Sequence, residues 1–198
     1  VASHIAICIP SGDMVHTDFM LSVMHVMQKG RSAGFRISVV NSKASIVAVG
    51  RNLAVKAGRE TRAEWLLFLD SDMIFPAETI ERLMSHGRAV VGATYPRKIL
   101  PLAFIGNRLD GVSFSLADKG VIEATRMPTG CLLIKRDIFD RMQEPFFRCG
   151  YDEKSGEILG EDFWFSDRVR ALGYSLWCDM ELSRHVEHIG SYRFNLHE

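Results

Sequence analysis

Apolar residues along the chain switch between two periods. His4–Ile9 is a short β-branched run closed by Pro10-Ser11-Gly12, which predicts a buried strand opening into a loop at its carboxyl end. From Thr17 to Lys29 the spacing changes. Phe19, Met20, Val23, Met24 and Met27 recur every three or four residues, predicting an amphipathic helix with Thr17 as N-cap and Gly30 near its end. Phe35–Val40 predicts a second strand, Gly50–Arg59 a second helix, and Glu64–Leu69 a third strand with the most apolar pattern in the chain. Strand, helix, strand, helix, strand implies a parallel sheet covered on both faces.

Pro76 stands where a helix tolerates it, ahead of a predicted helix over Ala77–His86, and a further strand is predicted at Ala89–Thr94. From Tyr95 to Ile134 the pattern breaks into short β segments, Leu102–Ile105, Val112–Leu116, Val121–Arg126 and Cys131–Ile134, separated by Gly, Pro and Asp turns. This half reads as mixed or antiparallel. Glu161–Leu172 is the clearest late helix, with acids in its first turn, Arg168 and Arg170 near its end and Gly173 beyond it; Tyr174–Cys178 is a last strand. A length of 198 residues without repeats or a linker-like stretch predicts one domain over 1–198.

Composition narrows the class. Hydrophobic residues make up 47% and charged residues 24%, the mixture of a soluble globular protein. Lysine plus arginine (24) balances aspartate plus glutamate (24), so no overall positive field points to nucleic acid or acidic membranes. Cys8, Cys131, Cys149 and Cys178 form no C-x-x-C pair and read as reduced core thiols. No apolar run approaches the roughly 20 residues of a membrane span. The opening VASHIAICIP has no basic segment or cleavage site and reads as a strand, so a cytoplasmic location is expected.

Three local patterns carry chemistry. The first is WLLFLDSDM, an apolar strand ending in Asp70 and Asp72. Alternation along an extended strand sends i and i+2 to one side, so both carboxylates are expected at the sheet's carboxyl edge, where open α/β sheets bind ligands. Two hard oxygen donors there suit Mg²⁺ or Mn²⁺ with a diphosphate completing the shell. The plain alternative is a turn that caps the next helix. The second is GEDFWFSDRVRALGY: Asp162, in the first turn of a helix whose dipole favours the ionised carboxylate, is a candidate general base, and the plain alternative is a stabilising acidic N-terminus. Trp164 reads as core or as a sugar-binding surface. The third is HVEHIGSYRF: His185 and His188, three apart, would fall on opposite faces of a strand, so one ligand is expected, and His188 beside Gly190 is the choice.

These patterns in this order resemble the GT-A glycosyltransferases, particularly the family 2-like enzymes. The likeness rests on the opening strand with Ile9-Pro10, the GRNLA helix start at Gly50, WLLFLDSDMIFP, TGCLLIKRDIFDRM, GEDFWFSDRVRALGY and the late His-Ile-Gly. It implies a Rossmann-like three-layer α/β sandwich, with a mostly parallel central sheet and a mixed or antiparallel C-terminal part. Residues 1–94 would form the nucleotide-sugar half and 95–198 the acceptor half. The implied activity is metal-dependent transfer of a sugar from a UDP- or GDP-type donor to an acceptor hydroxyl. Asp72 would be the more direct ligand of Mn²⁺ or Mg²⁺, Asp70 would lie nearer the ribose, and His188 would complete the shell. Pro10, Ser11, Arg51 and Ser71 would contact the donor. Asp162 would deprotonate the acceptor with inversion, and Gly130, Glu161 and Trp164 would meet the acceptor.

One departure is Asn41, at the end of the second strand, where many relatives place an aspartate that reads the base. The nucleotide therefore stays open, as do the acceptor and a homo-oligomeric state. Two rivals remain: a non-catalytic nucleotide-sugar or carbohydrate-binding module of the same fold, and a haloacid-dehalogenase-like phosphatase with Asp70 as nucleophile. A nucleotidyltransferase is disfavoured, because Pro10-Ser11-Gly12-Asp13 lacks a Gly-rich phosphate cradle.

Overall fold

The structure is a computed structural model that describes residues 2–152, 156–190 and 193–195. Its first half contains β1 (His4–Ser11), α1 (Thr17–Ser32), β2 (Arg36–Lys43), α2 (Val47–Glu60), β3 (Trp65–Leu69), β4 (Met73–Ile74), α3 (Thr79–Ser85) and β5 (Val90–Gly92). The second half contains β6 (Asn107–Arg108), β7 (Val121–Arg126), β8 (Cys131–Lys135), α4 (Asp137–Asp140), β9 (Gly150–Tyr151) and β10 (Ile158–Leu159). It ends with α5 (Glu161–Ala171), β11 (Leu176–Asp179), α6 (Met180–Ser183), β12 (Glu187–Ile189) and β13 (Arg193–Phe194).

Eight strands form one sheet in the order β2-β1-β3-β8-β5-β11-β7-β6. Followed from β1 through its pairings, six of them run one way and β8 and β7 oppose them. The sheet is thus mostly parallel, and its C-terminal strands supply the antiparallel pairs. Period-two alternation divides the core into two layers. Ile5, Ile7, Ile9, Leu67 and Leu69 pack against Phe19, Val23 and Val26 of α1 and Ile80 and Leu83 of α3. Ala6, Cys8, Leu66 and Phe68 face Ala54 and Val55 of α2 and Phe165 and Val169 of α5 on the other side. Gly58 makes the close approach of α2 possible, since a Cβ there would lie 2.8 Å from Leu66 Cδ2.

Several boundaries differ from the sequence reading. The N-cap of α1 is His16, which makes no side-chain cap bond, and Thr17 is already helical. The third helix starts at Thr79, two residues later than read, because Thr79 Oγ1 donates to the Pro76 carbonyl at 2.6 Å and closes a turn first. Leu102–Ile105 and Val112–Leu116 are not strands: they contribute the isolated bridges Pro96–Phe104 and Asn107–Ser113. Phe114 is buried and Phe104 and Ile105 pack on the core, but Leu102, Val112 and Leu116 face solvent, so no continuous sheet face fixes the register. Cys149, read as a core thiol, is exposed, while Cys8, Cys131 and Cys178 are buried. Ser191 and Tyr192, in the late His-containing pattern, lie outside the described residues.

Because β8 runs against β3 with Leu69 opposite Cys131, the chain entering β8 meets the chain leaving β3 at one edge. The carboxyl ends of β1 and β2 lie at that same edge. A second, three-stranded sheet, β13-β12-β4, continues from there.

Candidate active site

Leu66–Leu69 are fully buried, and the strand stops where the first carboxylate appears. Asp70–Asp72 is a turn between β3 and β4, so the alternation expected of an extended strand does not govern it. The two acids face different partners. The Asp70 amide donates to the Gly130 carbonyl at 3.0 Å, and its carboxylate oxygens accept from Arg51 Nη2 at 3.1 and 2.9 Å. Asp72 Oδ2 takes the ammonium of Lys98 at 2.5 Å and lies 3.6 Å from His188 Nε2.

His188 reaches that position through backbone pairing. In β12 it stands opposite Met73 of β4, and the Ile189 amide donates to the Asp72 carbonyl at 2.7 Å. Its Nδ1 is 2.9 Å from the Pro96 carbonyl, which can only accept. Nδ1 therefore carries a proton, which leaves Nε2 as the ring atom that faces Asp72. Tyr95 packs edge-on against the ring at 5.2 Å.

Arg51, expected beside the donor, is placed behind Asp70 and does not line the cleft at this edge of the sheet. Its side chain is 4% exposed, held inside the fold between Asp70 and Glu161, whose Oε1 is 3.5 Å from Nη1. The reason lies in α2, where Arg51 is on the buried side with Ala54 and Val55 and its guanidinium lies over Phe147. Burial raises the Asp70 pKa, Arg51 opposes it, and the charges of Asp72 and Glu161 add to the rise. For Asp72 partial burial pushes upward too, but hydrogen bonds and charge from His188 and Lys98 outweigh it and hold the carboxyl well below the usual range.

Asp162 sits in the first turn of α5 and accepts from the Phe163 amide at 2.9 Å. Burial pushes its pKa up to about 6, against the pull of Arg51 and with Glu161 and Asp70 contributing to the rise. Gly130 is packed so closely that a Cβ would lie 2.4 Å from the Tyr95 hydroxyl and 2.8 Å from Asp70 Oδ2. That hydroxyl accepts from the Gly130 amide at 2.9 Å. Tyr95 and Lys98 were not picked out from sequence, since neither lies in a periodic stretch.

A cleft of about 200 Å³ at this edge is lined by Pro10, Ser11, Gly12, Ala44, Ser45, Val47, Gly50, Asp70, Ser71 and Asp72. Pro10, Ser11, Ser71 and both aspartates are thus brought together as expected. Asn41 Nδ2 donates to Ser11 Oγ at 2.8 Å and to the Ile9 carbonyl at 3.1 Å. Trp164 lies elsewhere: with Arg126, Tyr151 and Asp167 it lines a separate cleft of about 930 Å³, its ring under the Arg168 guanidinium. It is two residues from Asp162, about 200° around the helix, so the two side chains leave α5 on opposite sides.

Of the three expected metal ligands, Asp72 and His188 meet, while Asp70 is turned to Arg51. Among the described residues no group of three or more His, Cys, Asp or Glu side chains forms a complete metal cage. The donor set still fits a hard divalent ion that keeps open positions for a ligand's oxygens. It offers one carboxylate oxygen and one imidazole nitrogen, the latter oriented through its other nitrogen by a backbone carbonyl.

No protein-family profile matches the sequence, and no curated protein matches it. Solved structures do. The crystal structure of A197 from STIV aligns over 99% of this chain and 95% of its own, at 17% identity and a TM-score of 0.62. GalNAc-T7 with UDP, GalNAc and Mn²⁺ aligns over 98% of this chain and 44% of its own, at 13% identity and 0.58. A mutant of Drosophila beta-1,4-galactosyltransferase 7, in complex with manganese, UDP-Gal and xylobiose, aligns over 100% and 72%, at 13% identity and 0.54. The chain spans less than half of the GalNAc-T7 chain. It has the mixed α/β, GT-A-like fold of these structures.

Proposed function

We propose that this chain is a divalent-metal-dependent glycosyltransferase, of the family 2-like kind, that moves a sugar from a UDP- or GDP-type donor to an acceptor hydroxyl with inversion. The observation that carries this reading is the pair Asp72 and His188, facing each other at 3.6 Å beside the cleft at the sheet's carboxyl edge. With Pro96 fixing the proton on Nδ1, Nε2 is the ring nitrogen left to bind a metal, next to the Asp72 carboxylate oxygen it faces. Two structures of this fold hold manganese with UDP or UDP-Gal, which supports the same choice here.

A divalent ion bound there supplies Lewis-acid stabilisation to the departing nucleoside diphosphate. The chain's own residues do the rest. Pro10, Ser11 and Ser71 line the cleft that would receive the donor. Asp162, ionised above pH about 6, takes the proton of the attacking hydroxyl, and its tuned pKa matches a base working near neutrality. Arg51 holds Asp70 and Glu161 in place and restrains the repulsion among the acids. Glu161 stays near enough to this cluster to meet the acceptor, whereas Gly130 is enclosed by Tyr95, Met73 and Asp70 and only shapes this edge, and Trp164 would meet only a part of the acceptor reaching past α5. The phosphatase alternative fares worse, because Asp70 is bound through both oxygens to a buried guanidinium and is not free to attack.

The deciding experiment is a thermal-shift screen of UDP, GDP, CDP and dTDP with Mn²⁺, Mg²⁺ or chelator. A bound nucleotide at about 100 times its Kd adds about 2.7 kcal/mol of stability. The gain is expected to require metal and to vanish in Asp72→Ala. Nucleotide stabilisation indifferent to chelator would overturn the metal site.

A further inference from the structure

Lys98 is the nearest charged neighbour of the proposed metal site and has no part in the ligand set. Its ammonium lies on Asp72 Oδ2, the oxygen that faces His188. It comes from residues 97–103, a segment exposed along its whole length that carries Ile99, Leu100 and Leu102 into solvent. The base of the segment is pinned. Thr94 Oγ1 donates to the Ile105 carbonyl at 2.6 Å, the Ile105 amide to the Tyr95 carbonyl at 3.2 Å, and the Arg97 amide to the Ala103 carbonyl at 2.8 Å. Beyond these bonds, the Lys98–Asp72 pair ties the segment back to the end of β3.

An ammonium and a divalent ion on the same carboxylate oxygen would stand side by side, and like charges at that range repel strongly. One must leave. Lys98 is able to, since both it and Asp72 are about one-third exposed and a freed lysine recovers hydration and rotamer freedom. We infer that Lys98 is the resting counter-cation of Asp72, and that a divalent ion binding at Asp72 and His188 displaces it and releases residues 97–103 beside the donor cleft. Metal loading and the position of this segment are then one equilibrium. The inference rests on the metal reading proposed above.

The test compares wild type, Lys98→Ala, Lys98→Arg and Asp72→Asn in two measurements that need no turnover. Mn²⁺ affinity is read from the free-ion electron paramagnetic resonance signal, with and without UDP. Hydrogen exchange of peptides covering residues 97–103 is read with and without Mn²⁺. Lys98→Ala should bind Mn²⁺ at least fivefold more tightly than wild type, Lys98→Arg should stay within twofold, and Asp72→Asn should lose binding. Exchange in the segment should rise with Mn²⁺ in wild type and be high from the start in Lys98→Ala. Equal Mn²⁺ affinity in wild type and Lys98→Ala, or exchange indifferent to Mn²⁺, would overturn the inference and leave the metal site standing. No Mn²⁺ binding by wild type or Lys98→Ala, even with UDP, would remove the metal site itself.

Discussion

Asp162→Asn should make the protein more stable while abolishing transfer. Burial raises the Asp162 pKa to about 6 from its ordinary 3.8, so the folded chain binds this proton more tightly than the unfolded one. For a raised carboxyl the sign is clear: stability is fully present below the unfolded value and is lost as pH climbs through the folded one. The gap corresponds to about 3 kcal/mol of stability given up by pH 7. Asparagine keeps the Oδ1 acceptor for the Phe163 amide and removes the charge. At pH 7–8 the variant should therefore melt roughly 6–12 °C higher than wild type. Near pH 3.5, where Asp162 is largely protonated, the two should converge. The assay is thermal unfolding by circular dichroism from pH 3.5 to 8, run with a transfer or donor-hydrolysis assay. Wild-type kcat/KM should fall tenfold per pH unit below about 6 and level off above it. An asparagine variant less stable than wild type at pH 7, or displaced by the same amount at every pH, would refute the placement of this carboxylate in a desolvated site.

Two further changes probe the cluster around it. Arg51→Met keeps much of the side chain's bulk but leaves Asp70 buried without its cation, at a cost of about 3–5 kcal/mol in urea unfolding; adding Asp70→Asn should recover most of it, and strictly additive losses would show that the pair is not coupled. Gly130→Ala drives a methyl toward the Tyr95 hydroxyl and Asp70 Oδ2, so it should lower stability by about 1–3 kcal/mol and weaken nucleotide binding; a variant that melts and binds like wild type would contradict the packing of this edge.

The sheet was legible because its central strands are buried on both faces. Runs such as HIAICI and WLLFL have few polar interruptions, and the helices between them carry their period openly. Leu102–Ile105 and Val112–Leu116 were not legible as turns and isolated bridges, since their mix of exposed and buried apolar residues mimics strands that no neighbour fixes. At the site, His188 stands beside Asp72, and that contact comes from pairing β12 with β4, which no local spacing reveals. That Arg51 turns inward was not legible, because a sequence shows that an arginine opens a helix but not which face of the helix is buried. The separation of Trp164 from Asp162 was available all along in the helical angle between positions two apart.

The D-S-D pattern reads in sequence as a pair of equivalent acids, and the fold makes them unlike. Asp70 is given an internal cation that cannot leave: Arg51 is enclosed by the core, and a guanidinium stays charged at any working pH. Asp72 is given an external cation that can, on a lysine at the rim. On the proposed metal site, charge neutralisation of the first belongs to folding and that of the second to binding. This division accounts for a site that brings four carboxylates, Asp70, Asp72, Glu161 and Asp162, close together. Arg51 restrains three of them permanently, and the fourth, with His188 behind it, is the one position where an exchangeable cation changes the charge of the cleft.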